Sequence, residues 1–280
     1  MPELPEVESV VRSLQPLVIG RTIIGAEFQG SKPAVHLKLL KNSVQEFQRG
    51  VCGAYIEQVE RYGKNIVFQL RHGEGSDRRL SLLVHLGMTG RLTCENTPER
   101  QTKHTHLVLS LDDPTQWIHY ADIRRFGRLR VTGRVGEELT QLGPDPLEIS
   151  EGEFCELLRS RNAMLKGVLL DQHFLRGIGN IYADESLFRA GIHPATRSAR
   201  LGRKRALRLH QAIQETLEEA IESGGSSISD YVDAQGRAGT FQQMHQVYCR
   251  TDQPCLRCGA RIKKIIISSR STHFCPRCQR

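Results

Sequence analysis

The sequence predicts an α+β chain of more than one domain: a leading helix and a β-sandwich or barrel, then a helical half that closes in a four-cysteine hairpin. Three observations carry this. Short β-type runs, separated by turns rich in Gly, Asp, Asn or Pro, fill the stretch after the first helix as far as residue 131. The break at Gly143-Pro144-Asp145-Pro146 then gives way to segments of helical period. Near the C-terminus, Cys255, Cys258, Cys275 and Cys278 form two CxxC pairs with sixteen residues between them.

The first helix is marked by Pro5, which suits a first helical turn, and by acidic residues placed well for the helix dipole. Val7, Val10, Val11, Leu14, Leu17 and Val18 follow as an apolar stripe at i, i+3, i+4 spacing. The same stretch, Met1-Pro2-Glu3-Leu4-Pro5-Glu6, has a second reading. Removal of Met1 before Pro2 would expose a secondary amine. An α-amino group titrates near ~8 against ~10.4 for lysine, so a far larger fraction is unprotonated at neutral pH. Such an amine can attack a sugar C1′ to give an iminium, an electron sink for elimination. Glu3 and Glu6 lie within a few residues as candidate general acid and base.

Strands are expected at 22–28, 34–40, 54–61, 65–70, 80–86, 104–111, 117–120 and 128–131. Three places between them stand out. Lys64 follows Gly63 at a strand end, where a solvated lysine is the plain alternative. His85-Leu86-Gly87-Met88-Thr89-Gly90 sets a Met between glycines, either tucked under a hairpin or exposed. Asp122-Ile123-Arg124-Arg125-Phe126-Gly127 joins two arginines to an aromatic, which can wedge a base stack or form a surface ion-pair cluster with Asp122.

The expected boundaries are a first domain over 1–134, a linker over 135–149, a helical domain over 150–245 and a finger over 246–280. Ser150 and Glu153 make a capping box that opens the helical part. Gly177-Ile178-Gly179-Asn180 leads into a short helix over 181–190, with the freed amides and Asn180 as a phosphate site. A long helix covers 204–223, and its basic start reads as a solvated face. The polar stretch 226–240 reads as a mobile loop, a lid in an enzyme. The finger is expected as a β-hairpin with Arg270 near its tip.

The CxxC pairs have the spacing of a four-thiolate zinc site, with a redox disulfide pair as the alternative. Net charge is +8 with a pI near 9.2, and eight basic residues against one acid, Asp252, fall within 247–280. This points to a polyanionic partner. No long apolar run and no signal-peptide pattern occur, so the expected location is cytoplasmic. No leftover apolar stripe suggests an interface, so a monomer is expected.

Taken together, Pro-Glu-Leu-Pro-Glu at the start, His-Leu-Gly-Met, Arg-Arg-Phe-Gly, Gly-x-Gly-Asn-Ile-Tyr and the four-Cys finger resemble bacterial formamidopyrimidine-DNA glycosylases of the helix-two-turn-helix superfamily, in order and over essentially the whole chain. The resemblance implies an N-terminal β-sandwich with a leading helix, a helix-two-turn-helix domain and a zinc-finger β-hairpin holding one structural zinc. It implies a glycosylase and AP lyase that removes oxidised purines, chiefly 8-oxoguanine and formamidopyrimidines, from duplex DNA and stays nucleoid-associated. Pro2 would be the nucleophile, Glu3 the group assisting ring opening, and Glu6 a support of the pocket. Lys64, Asn180 and Arg270 match phosphate-gripping positions, and Lys166 and His104 are added as DNA contacts. Met88, Arg124 and Phe126 match a void-filling triad, with Arg124 on the orphaned cytosine. The 226–240 stretch corresponds to a lesion-capping loop.

The sequence departs from the family pattern at Ile123, where a Pro is common, at Thr240, where many members have Tyr, and at Arg237-Ala238, a frequent Lys-Pro. Two other readings stand beside this one. An endonuclease VIII-type enzyme would act on oxidised pyrimidines, but that branch usually has Gly where this chain has Leu4. A catalytically silent damage-binding protein would retain Met1.

Overall fold

The computed structural model describes residues 1–29, 39–73, 79–99, 102–133, 139–228 and 231–280. The described chain divides into two compact units: Met1–Leu139 with Gly224–Gly239, and Thr140–Ser223 with Thr240–Arg280.

The first unit begins with α1 (Leu4–Val18), whose Glu3 N-cap is extended and donates its N–H to Glu6 Oε2 at 2.7 Å. The apolar stripe predicted from spacing is buried except for half-buried Leu17, with Val7, Val10 and Leu14 fully enclosed. Each such side chain contributes about 1.5–3 kcal/mol. Ile19 leaves the helix and Gly20, at φ +84, reverses the chain into the sheet.

Eight strands follow: β1 (Thr22–Phe28), β2 (Ala54–Tyr62), β3 (Asn65–His72), β4 (Arg79–His85), β5 (Gly90–Glu95), β6 (Thr105–Leu111), β7 (Trp117–Asp122) and β8 (Arg128–Thr132). They pair antiparallel in the order β5-β7-β6-β1-β2-β3-β4-β8. Strand β1 is the join. Only Thr22 and Ile23 pair with β2, and after an irregularity between Ile23 and Gly25 the rest of β1 pairs with β6. Leu92, Leu107, Leu109 and Ile118 from one side and Ile56, Ile66, Phe68 and Leu82 from the other enter one core with α1. No pairing among the described residues joins β5 to β8, so the sandwich is realised and the barrel is not.

Two elements here were not expected. Strand β5 is short and follows directly on the Gly87–Gly90 turn signals, which masked it. Helix α2 (Val44–Val51) carries a readable sign: the Ser43 hydroxyl accepts from Glu46 N at 3.1 Å, and Glu46 Oε2 accepts from Ser43 N at 2.9 Å. The strand expected at 34–40 lies outside the described residues except for Leu39 and Leu40, and Leu40 makes an isolated parallel bridge to Leu129.

The second unit holds α3 (Glu151–Arg159), where the Ser150 hydroxyl accepts from Glu153 N at 3.3 Å, one half of the expected capping box, then α4 (Leu165–Leu170), α5 (Asn180–Arg189) and α6 (Arg203–Glu222). Helix α4 was not expected; its single apolar turn and a half is too short to show a period. Helix α5 is the inner element, buried from Ile181 to Phe188 with Asp184 and Glu185 among its buried residues. The Glu185 carboxylate accepts the N–H groups of Gln246, Val247 and Tyr248 at 2.9, 3.0 and 2.8 Å and so fixes the entry to the finger. Strands β9 (Lys263–Ile267) and β10 (Arg270–Phe274) form the expected hairpin, with Ser268 and Ser269 both at positive φ in its turn. Among the described residues no helix is long and apolar enough to cross a membrane.

His245 packs against the rings of Phe241 and Tyr248, and burial pushes its pKa down from 6.5 to about 4. The folded state therefore refuses a proton that the unfolded chain accepts, so this contribution is intact above about pH 6.5 and is lost as pH falls toward 4. The unfolding temperature should drop across that window, and less steeply in His245→Phe, as calorimetry at several pH values would register.

Candidate active site

In the first unit the chain start is enclosed. Pro2, Glu3 and Glu6 are buried while Met1 is 52% exposed. Both oxygens of Glu6 are engaged by backbone: Oε2 accepts from Glu3 N, and Oε1 accepts from Ser226 N at 2.7 Å. Gly225 sits at φ +81, and a Cβ there would lie 2.9 Å from Glu6 Oε1, so only glycine permits this approach. The Tyr231 hydroxyl donates to Glu6 O at 3.1 Å, and Ala234 N donates to the Ser13 hydroxyl at 3.0 Å. Cys94 N in turn donates to Ala234 O at 2.8 Å. Of the stretch 226–240 expected as a mobile loop, Ser226, Tyr231 and Ala234 are thus hydrogen-bonded to α1, and Ala234 also to β5; residues 229–230 lie outside the described residues. Glu6 braces the start of α1, and the Glu3 carboxylate beside Pro2 accepts in turn from the backbone of Glu6, completing a reciprocal capping box.

Two turns of the sandwich carry the second group. Met88, in the β4–β5 turn, is 39% exposed, and Phe126, in the β7–β8 turn, is 53% exposed. The Arg124 guanidinium lies over the Phe126 ring at 4.7 Å from its centroid, so cation and ring form one stacked surface. Arg125 is at φ +58, which turns the chain between them. Asp122 is not the surface ion-pair partner the sequence allowed: it is fully buried and faces backbone amides and hydroxyls. The sequence signal for it is an acidic residue at the end of an apolar strand, before a turn rich in cations.

Lys64 is half-buried in the β2–β3 turn. Burial, foremost, and the charges of Lys64 and Arg128 hold the His85 pKa below its ordinary value, and its Nδ1 accepts Gly87 N–H at 3.1 Å. His104 precedes β6, half-buried, and its carbonyl accepts Asp122 N–H at 3.0 Å.

In the second unit, Asn180 opens α5 and its Nδ2 donates to Ser271 O at 3.0 Å, tying the helix start to the hairpin beside exposed Arg270. Gly177 N is not free for an anion, since it donates to Gln172 Oε1 at 2.9 Å. Lys166 requires a correction as a DNA contact. It is fully buried, and its ammonium donates to Asp184 Oδ1 at 2.6 Å and to Asn180 O at 2.8 Å. Asp184 Oδ2 also accepts His273 N–H at 2.9 Å. Lys166 thus ties α4, α5 and, through Asp184, the hairpin, and acts through Asn180. Asp184 and Glu185 went unread in the sequence, although two acids inside the apolar run Ile181–Phe188 are an internal signal.

The four cysteines converge. Their sulfur atoms all lie within 4.8 Å of one another, with Cys255 and Cys278 3.9 Å apart and Cys258 and Cys275 3.5 Å apart. A tetrahedral zinc with Zn–S near 2.3 Å spaces its sulfurs about 3.8 Å apart, so this cage fits one structural zinc. The Ala260 amide, foremost, and the neighbouring thiols lower the Cys258 pKa, while burial, foremost, and the same thiol contacts raise those of Cys275 and Cys278.

Comparison with known proteins agrees over the full length. Residues 1–129 match the model of the formamidopyrimidine-DNA glycosylase N-terminal domain, residues 142–232 that of the formamidopyrimidine-DNA glycosylase H2TH domain, and residues 252–280 a zinc finger found in FPG and IleRS. Formamidopyrimidine-DNA glycosylase of Solibacter usitatus is 47% identical, with all of both chains covered. That of Bacillus subtilis is 40% identical, over 100% of this chain and 99% of its own. Among solved structures, Lactococcus lactis Fpg in complex with DNA containing N7-benzyl-Fapy-dG superposes with a TM-score of 0.87 at 35% identity, covering all of both chains. The same protein with DNA containing an abasic site gives 0.86 at 34% identity, covering 99% of each. On these matches and the geometry above, the chain belongs to the formamidopyrimidine-DNA glycosylase family.

Proposed function

We propose that this chain is a base-excision repair glycosylase and AP lyase that removes oxidised purines from duplex DNA, with Pro2 as nucleophile. The observation that carries the reading is the enclosed start of α1, where the buried Glu3 carboxylate sits next to Pro2 and is held by the capping box it forms with Glu6. With Met1 attached the Pro2 nitrogen is an amide and has no nucleophilic lone pair, so loss of Met1 is part of the proposal. The freed amine then attacks C1′ as the bond to the base breaks, and the base leaves with a proton. Glu3 gives a proton to the ring oxygen as the sugar opens, and the nitrogen lone pair completes the iminium. Loss of a C2′ proton expels the 3′ phosphate, and a second elimination expels the 5′ phosphate. Water then releases the amine.

Lys64 of the first unit and Asn180 and Arg270 of the second serve as phosphate contacts, with His104 a further DNA contact. Met88, Arg124 and Phe126 enter the stack vacated by the flipped nucleotide. The protein works as a monomer on the nucleoid in the cytoplasm, and its binding weakens steeply with salt.

Borohydride trapping on a duplex with 8-oxoguanine opposite cytosine, beside a dihydrouracil duplex, should give a covalent adduct favouring the purine lesion. An adduct favouring the pyrimidine would replace the substrate class. Its absence on both, from protein whose intact mass shows Pro2 first, would leave a binding protein. Glu3→Gln should lower base excision by about 100-fold or more, within the usual range for a lost general acid, while duplex affinity stays nearly unchanged. Equal loss of both would make Glu3 structural. Cys258→Ser should lose zinc and, with it, the placement of Arg270, weakening DNA binding; metal analysis alongside a binding isotherm would register both.

A further inference from the structure

We infer that Asp122 is the positioning residue that joins the turns carrying Met88, Arg124 and Phe126 into a single wedge. This deepens the functional reading above and rests on it, because that reading assigns the three side chains to the DNA stack. Asp122 ends β7 with none of its surface exposed. Its Oδ1 accepts the Thr89 hydroxyl at 2.6 Å and Arg124 N–H at 3.2 Å. Its Oδ2 accepts Gly127 N–H at 2.8 Å and the Tyr120 hydroxyl at 3.4 Å. Arg124 N–H is shared with Thr89 Oγ1 at 3.0 Å. Thr89 follows Met88 in one turn, while Arg124 and Gly127 bracket Phe126 in the other. One carboxylate therefore closes both.

The backbones leave no freedom for another arrangement. Gly87 is at φ +64, and a Cβ on it would stand 2.5 Å from both Gly127 N and Phe126 C. A Cβ on Gly127 would meet the Tyr120 hydroxyl at 1.8 Å. The carbonyl of Asp122 is itself held, 2.8 Å from His106 Nε2. Four donors converge on the carboxylate, and no ion pair to it occurs among the described residues. A carboxylate only accepts, so it satisfies every one of them. Asparagine has the same shape but must turn an NH2 toward donors at one of the two positions, which breaks the clamp without emptying the site.

The wedge predicts a defect confined to steps that need the stack opened. Wild type, Asp122→Asn, Thr89→Val and Thr89→Ser would be compared on 8-oxoguanine opposite cytosine or adenine, and on a preformed abasic site. A 2-aminopurine next to the lesion reports opening of the stack. Asp122→Asn should excise roughly 10-fold more slowly opposite cytosine, as expected for one or two buried hydrogen bonds lost. It should also lose the preference for cytosine over adenine and blunt the 2-aminopurine rise, while abasic-site cleavage falls less than about threefold, since that site has no base to extract. Thr89→Val should shift in the same direction and Thr89→Ser should restore discrimination, so the Thr89 pair decides if Asp122→Asn folds poorly. Retained discrimination in Asp122→Asn and Thr89→Val, or a parallel fall of excision and abasic cleavage, would overturn the inference. If Arg124→Ala discriminates as wild type does, the functional reading itself fails; if Arg124 matters and Asp122 does not, this inference fails alone.

Discussion

The Glu6 carboxylate is the constraint on which the first unit's chemistry depends. It lies one turn into α1 and uses one oxygen on the N–H of Glu3 and the other on the N–H of Ser226, a residue 220 positions away in the chain. A hydrogen bond to an ionised acceptor is worth about 1.5–3 kcal/mol, and a buried carboxylate stripped of such donors pays its full desolvation cost. The interaction therefore fixes two things together. It sets the conformation of the residues just before α1, where Pro2 lies, and it draws the 224–239 segment into the sandwich unit although the flanking chain belongs to the other. Gly225 is required by the same contact, since any side chain there would strike the carboxylate.

The second unit uses the same device with different partners. Neighbouring acids of α5 divide the work: Asp184 takes the Lys166 ammonium and the His273 amide, and Glu185 takes three successive amides leading into the finger. Helix α5 also begins at Asn180, whose amide holds the hairpin at Ser271. The exposed Arg270 is thus placed by a buried electrostatic frame on one side and by the metal-fitting cysteine cage on the other. Loss of either is expected to move it, which ties the placement of one surface cation to interior charges and to metal content.

How much of this was legible in the sequence follows from the range of the interactions involved. Helix α1, seven of the eight sandwich strands, α5, α6 and the finger hairpin were readable because period, turn residues and CxxC spacing are local. Strand β5 and helix α4 were missed because each is too short to repeat its own pattern, and α2 because its Ser43–Glu46 cap was passed over. The exposed site residues were found through motifs, and the structure brings Arg124 and Phe126 into contact as one surface. The braces were not found. Asp122 offered no local clue to which of its neighbours it would serve, and Lys166 reads as a surface cation until its buried partner Asp184 is known. The 226–240 stretch is polar and glycine-rich, and the partners of Ser226, Tyr231 and Ala234 on α1 lie more than two hundred residues earlier, out of reach of any local pattern.

These cases separate two classes of residue by physical role. Met88, Arg124, Phe126 and Arg270 are exposed and make few demands on the fold, so their replacement changes what the protein touches at little cost in stability. Glu6, Asp122, Asp184 and Glu185 are buried acids that accept backbone N–H groups, and Asp122 does so directly beneath the turn that carries Arg124 and Phe126. Backbone amides point where the chain runs, so a carboxylate that collects several of them fixes a loop's path more tightly than apolar packing, which tolerates sliding. A fold that must hold exposed turns such as those of Met88 and Phe126 in one arrangement has reason to place charge inside, despite its desolvation cost. For Asp122, Asp184 and Glu185, sequence patterns that look like errors, acids within or at the end of apolar runs, mark the residues on which the working surface stands.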